Sequence, residues 1–187
     1  RALEGVLTPE ESEELFSAFD QIGEIIVVRI PDSLESKKKI IGKTLLEQVK
    51  TANSVFYQSS DVSGDYRTRK LELLAGEGKT ETEYKEYGCR FLVDVEKAFF
   101  SPRLSTERER IANLVQDGET VINMFGGVGM FSIMAAKKKK CTVYNIDINP
   151  IASALCEKNI VNNKLAGKVI SINGDASKII QEQLQEK

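Results

Sequence analysis

Histidine is absent from all 187 residues. That absence removes every Ser-His-Asp or Cys-His nucleophile and every histidine-ligated metal site. Any general base must therefore be Asp, Glu, Lys, Tyr or Cys. Cysteine is scarce: Cys89, Cys141 and Cys156 are odd in number, widely spaced and set in apolar runs. They read as reduced core thiols of a cytoplasmic protein, without the paired spacing of a zinc site, so no metal is expected. Long apolar runs are missing too. No stretch reaches the roughly 18 residues that mark a membrane helix, and no signal-peptide pattern opens the chain, so no membrane partner is expected. Excess charge of one sign is also lacking. A net charge of −2 argues against binding nucleic acid by bulk charge and leaves only a local basic face for that purpose.

The remaining composition, 29% charged and 41% hydrophobic, is that of a soluble globular chain. Its length suits one ordinary domain or two small ones. The most informative stretch runs from Glu119 to Pro150. Thr120 to Phe125 is a short β-branched, apolar run that predicts a buried strand. Gly126, Gly127 and Gly129 follow at once, Phe131 to Ala136 continue with helical character, and Cys141 to Ile146 predict a second strand ending at Asp147. A turn without side chains lets a ligand approach the backbone at the amino end of a helix. An acid at the end of the second strand is placed to accept hydrogen bonds from a ribose. The dinucleotide fingerprint G-x-G-x-x-G is met only in part, since Ser132 holds its third glycine position. An ordinary α/β turn is the plain alternative. Asp147, eighteen residues past Gly129 (147 − 129), favours nucleotide-type binding.

Before this stretch, Thr8-Pro9-Glu10-Glu11 forms a capping box that predicts a helix to about Phe19. Ile22 to Ile30 predicts one strand, Leu34 to Lys50 a helix, and Ser54 to Gln58 a strand. Ser59 to Asp65 is a loop, followed by three short strands, Arg69 to Leu74, Glu81 to Tyr87 and Cys89 to Val95, read as a meander. Thr106 with Glu109 forms a second capping box opening a helix to about Val115. Beyond Asp147 the pattern gives a helix from Asn149 to Asn162, a strand from Lys168 to Ile172, a Gly174-Asp175-Ala176 turn and a helix from Ser177 to Lys187. The expected fold class is α/β: a small α+β domain over 1–96, then a partial Rossmann-like domain with a mainly parallel sheet over 97–187. Three strands are fewer than a doubly wound sheet uses, so the second domain is expected to be incomplete.

Four segments together carry a family resemblance: D-Y-R-T-R-K-L-E-L-L-A-G-E from Asp65, V-D-V with F-F-S-P-R-L-S-T-E-R-E-R-I ending at Ile111, N-M-F-G-G-V-G-M-F from Asn123, and Y-N-I-D-I-N-P ending at Pro150. Phe125 before the glycines resembles motif I of class I S-adenosylmethionine-dependent methyltransferases. The set as a whole resembles the archaeal/eukaryotic-type tRNA (guanine-N1)-methyltransferases, which modify the guanosine immediately 3′ of the anticodon (guanosine 37). The resemblance implies S-adenosyl-L-methionine as cofactor and tRNA as partner; a monomer is expected, although the sequence itself does not reveal oligomeric state. It also implies that the family's leading domain and its Asn-Pro-Pro motif have no counterpart in this chain. It gives Glu107 as general base and Arg67 as the partner of the charge on O6. Phe100, Arg103, Phe125, Gly126, Gly127, Gly129, Asp147, Ile148 and Asp175 become cofactor-binding positions, and Arg108 and Arg110 contacts to RNA phosphate. Each has a structural alternative: a first-turn acid for Glu107, a solvated loop arginine for Arg67, core rings for Phe100 and Phe125, and a helix cap for Asp175. The lysine runs 37–39 and 137–140 read mainly as solvated helix ends. A related wybutosine-pathway enzyme, which transfers the aminocarboxypropyl group of the same cofactor, resembles the chain as well. A truncated, non-catalytic RNA- or cofactor-binding module is the reading from a different class.

Overall fold

The structure, a computed structural model, describes residues 3, 5–16 and 19–184. The chain divides into two compact units, Arg1–Ser63 with Arg69–Thr82, and Gly64–Thr68 with Glu83–Lys187.

In the first unit, α1 (Pro9–Phe16) starts at the predicted capping box. The Thr8 N–H donates to Glu11 at 2.9 Å, and the Glu11 N–H donates back to Thr8 Oγ1 at 3.2 Å. The helix does not extend to Phe19, which begins β1; positions 17 and 18, which fall in that expected helix, lie outside the described residues. The single strand expected over Ile22 to Ile30 is instead half of an antiparallel hairpin, β1 (Phe19–Ile22) and β2 (Ile25–Val28), with Ile22 paired to Ile25. All four residues of β2 are buried, so the strand reads as an unbroken apolar run that hides the turn before it. Asp32–Lys37 is a 3₁₀ segment leading into α2 (Lys38–Gln48). β3 (Ser54–Gln58) lies parallel to β2, and β4 (Leu71–Gly76) pairs antiparallel with β3, giving the order β1-β2-β3-β4. Ile26, Val28, Ile41, Leu45, Val55 and Leu74 form the centre of this unit's core.

The expected three-stranded meander is therefore split. β4 completes the first sheet by pairing with β3, while β5 (Glu81–Glu86) and β6 (Cys89–Asp94) form a two-stranded sheet of their own. Two asparagines of α5 (Pro150–Val161) and its C-terminal turn explain why β6 belongs with the second unit. Asn159 accepts from the Leu92 N–H at 2.6 Å and donates to the Leu92 carbonyl at 3.0 Å. Asn163 does the same with Arg90, at 3.0 and 2.7 Å. The asparagines are four apart, on one helix face, and their partners are two apart, on one strand edge. The side-chain amides thus stand in for a neighbouring strand. The sequence boundary at 96/97 and the observed one at 82/83 differ by this hairpin.

The rest of the second unit alternates helix and strand. A 3₁₀ turn (Pro102–Leu104) passes straight into α3 (Ser105–Leu114), followed by β7 (Thr120–Asn123), α4 (Met130–Lys138), β8 (Thr142–Asp147), α5 and β9 (Lys168–Asn173). The chain then forms α6 (Ala176–Ile179) and a π turn (Ile180–Leu184); positions 185–187, where the terminal helix was expected to finish, lie outside the described residues. The second capping box does not form. Leu104 occupies the cap position without a side-chain bond, because the Pro102-led turn already continues into the helix, with the Ser105 N–H bonded to the Pro102 carbonyl. β7, β8 and β9 make a wholly parallel sheet in sequence order, with Asn123 beside Asn145 and Asp147 beside Asn173. Among the described residues no helix is long and apolar enough to cross a membrane, and no cluster of three or more acids and thiols could hold a metal ion.

Candidate functional site

The site is built where β7 and β8 end. After β7 the chain turns through Gly126 to Gly129, and the Gly126 N–H donates to the Ile146 carbonyl at 2.8 Å. Gly127 (φ +52) and Gly129 (φ +89) hold left-handed backbone that suits glycine. A Cβ on Gly129 would also stand 2.6 Å from the Cys156 sulfur. Asp147, the last residue of β8, grips the turn from below. Its Oδ2 accepts from the Gly127 N–H at 2.6 Å and its Oδ1 from the Asn149 N–H at 2.9 Å. A carboxylate offers about four lone-pair sites, so this one keeps acceptor capacity for a ligand. Asn149 in turn caps α5, accepting from the Ile151 and Ala152 N–H groups, and its amide donates to the Lys97 carbonyl at 2.7 Å.

Beside the turn lies a cavity of about 300 Å³. It brings together six of the sequence-predicted residues, Arg67, Phe125, Gly127, Asp147, Ile148 and Asp175. Phe125 is 85% exposed, and Met124, Ile148 and Phe99 are each more than a third exposed. Clustered apolar side chains left open around two carboxylates have the character of a ligand wall rather than a core. Asp175 lines the cavity and also fills the capping role foreseen as its alternative. It caps α6, its Oδ1 accepting from Ser177 Oγ at 2.5 Å and the Lys178 N–H at 3.1 Å, and these bonds, Ser177 first, hold its carboxyl below the ordinary range. Arg67 reaches the cavity from the 64–68 loop, in a left-handed conformation (φ +52) closed by its N–H on the Gly64 carbonyl at 3.1 Å. That conformation is uncommon for a residue with a side chain and accumulates at functional sites.

Other predicted residues lie elsewhere. Arg108 is no phosphate contact: its side chain is 3% exposed and forks onto Glu86 at 2.7 and 2.8 Å, with a third bond to the Ser101 carbonyl at 3.1 Å. Phe100 is core, edge-on to Tyr84 with ring centres 4.9 Å apart and 5.8 Å beneath the Arg108 guanidinium. It borders a smaller hollow of about 80 Å³ together with Phe99, Gly126 and Gly127. Gly129 shapes the turn without lining the cavity. Arg103 is exposed in the 3₁₀ turn and lines neither hollow. Glu107 and Arg110 face solvent on α3 and fork onto each other, both bonds at 2.7 Å. The Arg110 guanidinium holds the Glu107 carboxyl below its usual range. Glu107 is not among the residues lining the cavity.

Sequence reasoning missed Asp65, Tyr66 and Phe99 as cavity residues, although Asp65 and Tyr66 adjoin Arg67 and Phe99 adjoins Phe100. It also missed a polar trio under the turn, buried Ser132 and Asn145 with half-buried Asn123. Ser132 Oγ donates to Asn145 Oδ1 at 2.6 Å, and Asn123 Nδ2 donates to Ser132 Oγ at 3.1 Å. Polar residues at strand ends beside a glycine turn were the available signal.

Comparison with known proteins fits this geometry. Residues 82–187 match the TRM5/TYW2 methyltransferase domain, and residues 1–80 the TYW2 N-terminal domain. The chain is 45% identical over 163 residues to the tRNA (guanine(37)-N(1))-methyltransferase Trm5b of Pyrococcus abyssi, a match covering 87% of this chain and 49% of that protein. It superposes on Trm5 in a complex with tRNALeu with a TM-score of 0.83 and 37% identity, covering 98% of this chain and 60% of the other. Trm5 of Methanocaldococcus jannaschii in complex with adenosine matches with a TM-score of 0.76 and 40% identity, over 90% of this chain and 52% of that one. The chain thus spans about half the length of the curated relative it matches. It belongs to the TRM5/TYW2 methyltransferase family.

Proposed function

We propose that the protein transfers a methyl group from S-adenosyl-L-methionine to N1 of guanosine 37 in tRNA. The observation that carries this reading is one cavity bordered by the Phe125–Gly127 turn, the Asp147 and Asp175 carboxylates, and the strained Arg67. The residues suit the cofactor. The turn presents backbone without side chains, Asp147 retains acceptor capacity for ribose hydroxyls, Asp175 can accept from an exocyclic amine, and Phe125 and Ile148 supply apolar walls. When bound there, the cofactor supplies an electrophilic methyl group.

The chain's own residues have two tasks in the transfer. Guanine N1 carries a proton that must leave before the nitrogen can attack, and charge then accumulates on O6. Arg67 provides the cation for O6. Glu107 takes the N1 proton, and to do so it must leave its fork with Arg110. Exposed ion pairs of this kind are weak, so tRNA phosphate can compete for Arg110. Release of Arg110 also raises the Glu107 carboxyl toward its ordinary range and makes it a better base. The three buried thiols suit the reducing cytoplasm in which such an enzyme would meet tRNA.

A second reading, aminocarboxypropyl transfer from the same cofactor, is favoured by the match of residues 1–80 to the TYW2 N-terminal domain. Incubation of the protein with S-adenosylmethionine and tRNA transcripts carrying guanosine or adenosine at position 37, followed by nucleoside mass spectrometry, tests both. Methylated guanosine from the first transcript alone is expected. An aminocarboxypropyl adduct, or calorimetric binding of NADH in preference to S-adenosylmethionine, overturns the proposal.

A further inference from the structure

We propose that Asn145 is a positioning residue for the cofactor turn, and that residue 126 is glycine because the Asn145 amide occupies the space a side chain there would need. The inference rests on the cofactor reading above, and it concerns a residue outside the cavity lining.

The three glycines of the turn are glycine for different reasons. Gly127 and Gly129 have positive φ, whereas Gly126 does not, so its backbone suits any residue. Its constraint is space alone. A Cβ at 126 would stand 2.3 Å from Cγ and Nδ2 of Asn145 and 2.4 Å from its Oδ1, directly on the amide. A short side chain at that distance could swing aside if it were loose. Asn145 is not loose: it is fully buried, and its Oδ1 is held by Ser132 Oγ at 2.6 Å, with Asn123 Nδ2 at 3.5 Å. Ser132 is on α4, directly after the turn, and Asn123 ends β7, directly before it, so the clamp grips both ends of the loop it supports.

The same side chain also reaches the turn itself. Asn145 Nδ2 donates to the Gly127 carbonyl at 3.5 Å, a long bond, while Asp147 Oδ2 accepts from the Gly127 N–H at 2.6 Å. Residues 145 and 147 are two apart on β8 and share one face. One holds the carbonyl and the other the N–H of a single glycine. Asp147 needs its remaining lone pairs for a ribose, so Asn145 relieves it of sole responsibility for the height of the turn above the strand.

The test is a double-mutant cycle read by calorimetric S-adenosylmethionine affinity and by thermal melting. Gly126→Ala should weaken cofactor binding about tenfold or more, the usual result of forcing a methyl into filled space. Asn145→Ala should weaken it only a few-fold. The Gly126→Ala/Asn145→Ala protein should return to within about threefold of Asn145→Ala alone, since the methyl then fills the vacated space. Gly127→Ala, whose need is conformational, should not be rescued by Asn145→Ala. Wild-type affinity in Gly126→Ala, or additive losses in the double variant, overturns the proposal. If the unmutated protein binds no S-adenosylmethionine, the cofactor reading fails on its own. The Asn145–Gly126 fit is then decided by melting temperature, where rescue supports it and additivity overturns it.

Discussion

Truncating Arg108 separates a structural from an RNA-contacting role, because the two make opposite forecasts. Arg108 and Glu86 have side chains 3% and 4% exposed, and Arg108 donates two bonds to Glu86, at 2.7 and 2.8 Å. Arg108→Ala removes both, removes the bond to the Ser101 carbonyl, and among the described residues leaves the buried Glu86 carboxylate with the Tyr84 hydroxyl at 3.1 Å. Removing one member of a buried pair costs about 3–5 kcal/mol, because the stranded charge is uncompensated. At about 2–4 °C per kcal/mol for a chain of this size, the melting temperature should fall by roughly 6–20 °C. Replacing both partners, as Arg108→Met with Glu86→Leu, should recover most of the loss, since no charge is then stranded. Circular-dichroism melts measure this directly. A parallel titration of tRNA binding against salt measures the alternative, since one lost phosphate contact lowers the log–log slope by about one. Melting within about 2 °C of the parent, together with a slope lowered by about one, would refute the buried-pair argument.

Glu107→Gln should lower single-turnover methylation by about 10²–10⁴-fold while leaving S-adenosylmethionine affinity unchanged. Arg110→Ala should move the acid limb of the kcat/KM–pH profile, which reports the free enzyme, upward, because the guanidinium that holds the Glu107 carboxyl low there is gone; an unmoved limb counts against Glu107 as the base. Asp147→Ala should weaken cofactor binding in calorimetry before it affects the chemical step, since it removes both the proposed ribose acceptor and the 2.6 Å anchor of Gly127. Asn159→Ala strands the Leu92 N–H and carbonyl and the Val128 carbonyl, and hydrogen exchange at Leu92 should accelerate strongly if the side-chain amide is what protects that strand edge. Burial raises the Cys156 thiol to about 11 from 9.0. The folded state therefore keeps a proton that the unfolded chain releases, so this contribution to stability is complete below pH 9.0 and is lost as pH climbs toward 11. Cys156→Ala should flatten the decline of urea-derived stability over that window.

How much could be read from the sequence depended on whether the deciding partner was near in the chain. The turn, the two flanking strands and Asp147 lie within one continuous stretch, so their patterns pointed to one another. The β1–β2 hairpin was missed because β2 is buried on both faces and offers no alternation. Arg108 shows a legible signal that went unread. It lies four residues before Ala112 and seven before Val115, both buried, and so sits on the apolar stripe of α3, whereas Glu107 and Arg110 share a solvent face. Its partner Glu86, on another element, carried no local sign. The pairing of Asn159 and Asn163 with β6 was likewise invisible, because two surface-type residues gave no hint that a strand edge lay against them.

The three carboxylates of the proposed site differ in how far they are free to take a ligand. Asp147 and Asp175 already accept from the chain's own donors, but the Ser177 hydroxyl and Lys178 N–H both meet Asp175 at Oδ1, and the bonds to Asp147 leave lone pairs over. A ligand can add to these groups without displacing anything, and their orientation is settled in advance, which lowers the ordering cost of binding. Glu107 differs, since both of its oxygens are occupied by Arg110. For this group a partner must be exchanged before chemistry can occur, and the displaced arginine is the side chain a polyanion would attract. Under the proposed function, cofactor binding and proton abstraction are arranged differently in the same unit, the first preformed and the second conditional on the arrival of phosphate. The Arg110→Ala protein should lose tRNA affinity while its S-adenosylmethionine affinity remains that of the parent.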